Sequence, residues 1–367
     1  MSSNPAAVEI LPLQPKRRIG LPRMQEAGLI LVILILGAML SAAGHYDAGA
    51  GRANTFFNLD NIIDGIATPM SVYAIMAVGQ TAVIITGGID ISVGSIFGLS
   101  ALGTAAVLQF MSPDAPLMKV LPVAILAGPG IGLACGLFNG LIRNGLSMHP
   151  FIVTLGTLSI FRGIGNVACK VKTLPAPGRD LPDSFTTNFF QRYFFMNADG
   201  TGGVQIMPLI VTLIVVVVGW FYLRLTIGGR ELYAVGGNEE AARFSGLRVN
   251  RIKLRVYALS GLTAGIAGLV SAGRFGTAST NTGNGYELTV IAAAVVGGAS
   301  LTGGRGTALG ALLGALVIRM IEDGILTLHM NQEYSRIIIG SAIIIAVAID
   351  RFSEYVRNRR MARMGRG

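Results

Sequence analysis

Asp90 stands in the stretch TGGIDISVGS at 86 to 95, a carboxylate between two long apolar runs with Ser92 close behind it. A carboxylate there can cap the helix that follows by accepting from the N–H of Ser92 or Val93, with Gly87 and Gly88 permitting the turn. It can also join Ser92 in lining a substrate path, the usual alternative for an acid between membrane segments. A second acidic stretch, NEEAARFSG at 238 to 246, has the spacing of a short capped helix. Asn238 is placed to cap it, Glu239 and Glu240 suit its positive first turn, Arg243 and Ser245 lie toward its end, and Gly246 terminates it. Ala241, Ala242 and Phe244 offer a small apolar surface, so the segment can seat in a groove on a partner or remain a solvated loop. Arg162, about twelve residues into an apolar run, can snorkel outward or line a path. Arg319 is spaced to pair with Asp323 one turn later.

Catalytic constellations are missing from this inventory. His45, His149 and His329 fall in predicted connections with neither metal-ligand spacing nor a nucleophile partner. Cys135 and Cys169 suggest no disulfide framework, and no CxxC or HExxH pattern points to a metal. No GxxxxGK[ST] phosphate loop occurs, so ATP hydrolysis is not assigned to this chain.

The elements that must carry these residues are set by composition. Hydrophobic residues make up 52% of the 367, and charged residues only 13%, about half the share of a soluble domain. Apolar stretches approach or exceed the roughly 20 residues that cross a bilayer as a helix. The reading is an all-α polytopic membrane protein with about ten transmembrane helices, near 28–43, 62–86, 92–111, 119–138, 150–168, 206–223, 256–273, 288–303, 306–323 and 335–350. Glycines at 128, 132, 136 and 140, and at 306, 310 and 314, recur every fourth residue and mark close helix contacts.

The net charge of +10 is distributed as a topology signal rather than a nucleic-acid footprint. With the N-terminus inside, 19 basic residues face the cytoplasm and seven face outward. That assignment divides the chain into a cytoplasmic N-terminal segment 1–27, a single transmembrane domain 28–350 and a basic cytoplasmic tail 351–367. Within the domain it places a cytoplasmic loop at 224–255 and a long outer loop at about 170–205. The sequence KRR, then LILVILILGAML, then SAAG has the order of a cleaved signal, but the leader before its apolar core is long, which favours an uncleaved first span.

Four blocks, GGIDISVGS, HPFIVTLGTLSIFRG at 149–163, GGNEEAARFSGLRVNRIK at 236–253 and GYELTVIAAAVVGGASLTGGRG at 285–306, together resemble the ribose and xylose type permeases of bacterial ATP-driven importers. The resemblance runs in order over nearly the whole chain. It implies the ABC importer permease fold in the inner membrane and a second permease copy or paralogue, while the basic-residue balance puts both termini in the cytoplasm. It further implies a cytoplasmic ATPase subunit that uses ATP and Mg, and a periplasmic sugar-binding protein; this chain needs no cofactor of its own. EAARFSG resembles the EAAxxxG coupling motif on Glu240, Ala241, Ala242 and Gly246, without the Leu-Pro that often follows. The implied function is import of a monosaccharide, pentose, hexose or related polyol. An ion-coupled secondary transporter is the alternative and predicts acids in span interiors, whereas the acids here lie almost all in connections or at span ends. An intramembrane enzyme is disfavoured by the absence of paired acids or metal ligands.

Overall fold

The long apolar runs fold as helices, the arrangement in which an isolated segment satisfies its own backbone polar groups. The computed structural model describes residues 24–48, 54–146, 148–194 and 203–364. In chain order the helices are α1 (Met24–Ala48), α2 (Thr68–Ile85, preceded by a π-helical stretch Asn61–Ala67), α3 (Val93–Leu108), α4 (Leu117–Leu146), α5 (Pro150–Ala168) and α6 (Met207–Leu225). There follow α7 (Ile227–Gly237), α8 (Glu239–Phe244), α9 (Val249–Phe275), α10 (Tyr286–Val296), α11 (Ala308–Thr327) and α12 (Glu333–Met364). Among the described residues, sheet is confined to two antiparallel pairs, β1 (Thr173–Leu174) with β4 (Ala278–Ser279) and β2 (Tyr193–Phe194) with β3 (Val204–Gln205).

Six of these helical runs are long and apolar enough to cross a membrane: Glu26–His45, Asn61–Ile85, Leu117–Leu146, Pro150–Ala168, Met207–Leu225 and Val249–Phe275. The other predicted spans fall on α3 and α10, which are apolar but shorter, and on α11 and α12, which are richer in charge. Length and apolarity alone therefore select six helices rather than ten.

The bundle is organised around α9, which packs on α4, α2 and α3. Glycine makes that seam possible. A Cβ on Gly136 would strike the Tyr257 carbonyl and the Gly261 Cα, and one on Gly132 would strike the Gly261 and Gly265 backbone. The α4 stripe predicted from spacing thus meets a matching pair of glycines on α9 at backbone contact. The second stripe is shorter than its spacing indicated. Gly306 lies before α11 with φ of 151°, and only Gly310 and Gly314 of that set press on Gly297 and Ala293 across the α10 seam. Apolar side chains of α1, α5 and α6, Leu34, Ile152 and Val218 among them, remain exposed, as they would be against lipid.

Three predicted boundaries change. α9 begins at Val249, so the last seven residues of the 224–255 connection belong to a helix whose first turns carry Arg251, Lys253 and Arg255. α12 continues without a break through most of the 351–367 tail. His45 lies in the last turn of α1 rather than in a connection. The 170–205 connection is partly structured. Besides β1, β2 and β3 it has a π-helical turn Thr186–Phe190, and Ser184 Oγ donates to the Ala115 carbonyl at 2.7 Å. Its residues 195–202, most of the 1–27 segment and the last three residues of the tail lie outside the described residues.

Candidate functional site

Asp90 sits in the turn between α2 and α3 and has no exposed surface. Gly87, at φ +74°, makes the left-handed reversal that brings the chain out of α2, a conformation costly for any residue with a Cβ. The carboxylate makes the expected bond at the start of α3, although Ser92 rather than Asp90 holds the N-cap position and makes no side-chain cap bond of its own. One oxygen accepts from Ser92 N–H at 3.0 Å and Ser92 Oγ at 2.6 Å, and the other from Ser260 Oγ of α9 at 2.8 Å. Asn139 Nδ2 of α4 donates to Ser92 Oγ at 2.7 Å. With its amide turned to satisfy both bonds, Gln80 of α2 donates to the Asp90 carbonyl and accepts from the Asp90 N–H, each at 3.2 Å. One buried acid therefore joins α2, α3, α4 and α9 through neutral donors. Sequence reasoning missed Gln80, Asn139 and Ser260. The available signal was that each is a polar residue within an otherwise apolar run.

The second acidic stretch forms the expected short helix. Asn238 Oδ1 accepts from Ala241 N–H at 2.9 Å, and Glu239 and Glu240 occupy the first turn of α8. At its end Gly246 takes φ +85°, Gly246 N–H bonds to the Arg243 carbonyl, and Leu247 N–H bonds to the Ala242 carbonyl. This pair of bonds closes a Schellman turn that only glycine enters without strain. The apolar surface differs from expectation in one respect. Ala242 is buried against the chain itself, whereas Ala241 faces out and Phe244 is 91% exposed. Ser245, also exposed, bonds back to the Ala241 carbonyl.

The inner side of α8 is anchored by charge. Glu239 pairs with Lys253 of α9 at 2.5 Å, and the lysine side chain is only 9% exposed. Arg243 approaches the same glutamate at 3.4 Å. Partial burial pushes the Glu239 carboxyl up, but the hydrogen bond from Lys253 and the charges of Lys253, Arg143 and Arg243 outweigh it and hold the group below the ordinary glutamate range. Lys253 was not singled out by the sequence, where it is one basic residue among seven.

The two stretches are linked through the end of α2. Gly236 of α7 lies against the Ile85 carbonyl and Gly304, and Gly304 N–H donates to that carbonyl at 2.8 Å. Tyr233 Oη of α7 donates to the Gly306 carbonyl at 2.7 Å. Thr154 Oγ1 of α5 reaches the Ile89 carbonyl at 3.4 Å. Ile89 and Ile91 pack with Ile291, Val295 and Ala299 at the end of α10. The four sequence blocks, scattered over more than 200 residues, therefore meet around residues 85–92.

Arg162 is partly buried and donates to the Thr282 carbonyl at 2.7 Å, which ties α5 to the loop before α10. Arg319 does not pair with Asp323. Its guanidinium bonds Glu322 at 3.0 Å and the Gly65 carbonyl through Nε and Nη2, while Asp323 accepts from Asn61 at 3.0 Å. The π-helical stretch ahead of α2 lies beside α11 and provides both alternative partners. Among the described residues no group of three or more His, Cys, Asp or Glu is placed to hold a metal ion.

Residues 62–347 match the family described as the permease component of the branched-chain amino acid transport system. The ribose import permease protein RbsC of Haemophilus influenzae is 38% identical over 299 residues, 81% of this chain and 87% of that protein. The galactose/methyl galactoside import permease protein MglC of Escherichia coli K12 is 36% identical over 342 residues, 92% of this chain and 96% of that one. The Bacillus subtilis ribose import permease protein RbsC is 35% identical over 329 residues, covering 89% and 93%. No solved structure matches.

Proposed function

The chain belongs to the permease-component family of the branched-chain amino acid transport system, and from that membership we propose that it is the transmembrane permease subunit of an ATP-driven sugar importer. The observation that carries the reading is the near full-length similarity to ribose and galactose import permeases. It is a multi-pass protein of the inner membrane and supplies the path for a monosaccharide. Ion-coupled transport is the weaker reading. The most buried acid among the described residues, Asp90, is already bound by hydroxyls and backbone and offers no open ion site.

The finer account extends this proposal. About ten helical runs enter the membrane, the shorter α3 and α10 crossing it together with the loops joined to them, and both termini and the α7–α8 segment lie on the cytoplasmic side, as the basic-residue bias supports. A separate ATPase consumes ATP and Mg, a periplasmic binding protein delivers sugar to the outer face, and a second permease completes the path. The exposed face of α8, with Glu240, Ala241, Arg243, Phe244 and Ser245, meets the ATPase. Movement there reaches α2 through Gly236 and Ile85, whose backbones are in close contact, with Gly304 N–H bonded to the same Ile85 carbonyl, because closely packed rigid helices shift together.

The test is uptake of labelled D-ribose and D-galactose into vesicles holding the complex of this chain with its ATPase and binding protein. Uptake of one or both should require ATP and stop when the ATPase phosphate-loop lysine is replaced. Uptake driven by a sodium or proton gradient without ATP would overturn the proposal.

A further inference from the structure

Tyr73 lies twelve residues from either end of the continuous helical run Asn61–Ile85, roughly 18 Å from each end. Tyr286, the first residue of α10, packs on it with ring centroids 5.0 Å apart and stacks on Phe97 of α3 at 5.5 Å. α10 therefore starts deep within the bundle, and the non-helical residues before it descend to the same depth. Irregular backbone at membrane depth persists only where protein buries it or where it lines a water-filled cavity. A cleft lies at that depth. A cleft of about 680 Å³ opens between α10, α11 and α12, with Tyr73 and Tyr286 among its lining residues, a size within the roughly 300–1,000 Å³ range of small-molecule sites.

The chemistry of the walls defines what fits. Arg319 faces Glu322 at 3.0 Å and Arg336 faces Glu333 at 2.9 Å, so the lining charges cancel in pairs. An ion entering would find no unmatched charge. A zwitterionic amino acid would gain only hydrogen bonds beside charges that are already matched, at the cost of dehydrating two charges of its own. A neutral polyol carries no such cost, because each hydroxyl both donates and accepts. Of five guanidinium N–H groups, Arg319 uses three, on Gly65 and Glu322, and the Glu322 carboxylate keeps acceptor sites beyond the one used. Thr289 adds a hydroxyl to the wall and Tyr286 an aromatic face.

We infer that this cleft is a transit site for a neutral monosaccharide, with Tyr286 as its stacking surface and the Arg319–Glu322 pair as its hydrogen-bonding wall. The inference rests on the proposed import function and adds a sugar contact inside a single permease chain.

Its test is protection of a cysteine. Thr289→Cys, in a chain with Cys135→Ser and Cys169→Ser, is reconstituted with the ATPase and binding protein and labelled without ATP by a water-soluble maleimide. D-ribose, D-galactose and leucine are added in turn. The imported sugar should slow labelling about fivefold at about four times its dissociation constant, because only the free cleft reacts, and leucine should not. Glu322→Gln should lower uptake roughly tenfold through loss of a charge-assisted hydrogen bond. Tyr286→Ala should do the same, while Tyr286→Phe keeps most of the activity. Unprotected labelling in a complex that imports sugar overturns the cleft assignment and leaves the import function standing, whether or not Glu322→Gln folds. Protection by leucine instead of sugar overturns the sugar assignment of the cleft. A wild-type complex that imports neither sugar overturns the proposed function and this site with it.

Discussion

Asp90 and Glu239 belong to the two acidic stretches that the sequence presents on equal terms, each a carboxylate beside a capping residue and a glycine-bearing turn, yet the fold treats them oppositely. Asp90 has no exposed surface and is held by neutral donors from its own turn and from α9. Glu239 keeps 38% of its side chain exposed and is held by charge. The difference teaches what each can do. A dry carboxylate whose partners are hydroxyls and backbone fixes the relative positions of helices and has nothing left for a solute. A half-hydrated ion pair at the back of an exposed helix fixes that helix while leaving its outer face free.

The largest effect is expected where the carboxylate is dry. Asp90→Ala strands the Ser92 N–H, the Ser92 hydroxyl and the Ser260 hydroxyl in a buried site, at about 1–3 kcal/mol for each group that finds no new partner, or roughly 4 kcal/mol in all. Asp90→Asn should cost about 1 kcal/mol, since its amide oxygen still accepts from Ser92 and its amide N–H can donate to the rotatable Ser260 hydroxyl. Thermal unfolding of the detergent-purified chain measures both. Wild-type stability in Asp90→Ala together with lost uptake would break the contrast and return Asp90 to the solute path.

A smaller effect belongs to the charged pair. Glu239→Gln leaves Lys253, 9% exposed, without its counter-charge and should cost about 2 kcal/mol. The pH dependence follows from the direction of the shift. The Glu239 carboxyl titrates below its ordinary range when folded, so the pair contributes fully above the ordinary glutamate pKa and is lost as pH falls through the lowered value. The wild-type chain should therefore lose more stability on acidification than Glu239→Gln. The gain is modest because the glutamate is partly hydrated. Parallel acid profiles for the two proteins would remove the pair as an anchor of α8.

These contrasts also mark what was legible in the sequence. The apolar runs gave the helices, and the fourfold glycine spacing gave the α4 face of the α4–α9 seam, because both are periodic patterns within one segment. Asn238 and Gly246 were readable because a cap acts within one turn of its own helix. Partners across the fold were not. Nothing near Asp90 announces Ser260, 170 residues away, and Arg319 chose Glu322 and the Gly65 carbonyl over Asp323 because a neighbouring helical stretch supplied the acceptor. Ala242 was assigned to a contact face from its type and its place in the EAAxxxG resemblance, and only the turn of the helix shows that it points inward. The convergence of four blocks on residues 85–92 was invisible for the same reason, since it passes largely through backbone carbonyls, which every residue has.

The smallest effect on stability and the largest on coupling should coincide at Phe244. A phenyl ring 91% exposed makes little contribution to the isolated fold, so Phe244→Ala should change stability by no more than about 0.5 kcal/mol. If α8 seats in the ATPase, the same ring is the natural anchor in the groove, because buried aromatic residues supply a large share of interface energy and truncating one typically costs about 2 kcal/mol or more. ATPase attachment should then weaken roughly thirtyfold, read as the dissociation constant of the purified subunits, with uptake falling while the melting temperature stays fixed. Gly246→Val provides the contrasting variant. It places a β-branched residue at φ +85°, so it should disturb the helix exit and lower stability and attachment together. Stability and attachment thus separate in one variant and move together in the other. Normal attachment in Phe244→Ala would leave α8 as a solvated turn whose anchoring to Lys253 serves the fold alone.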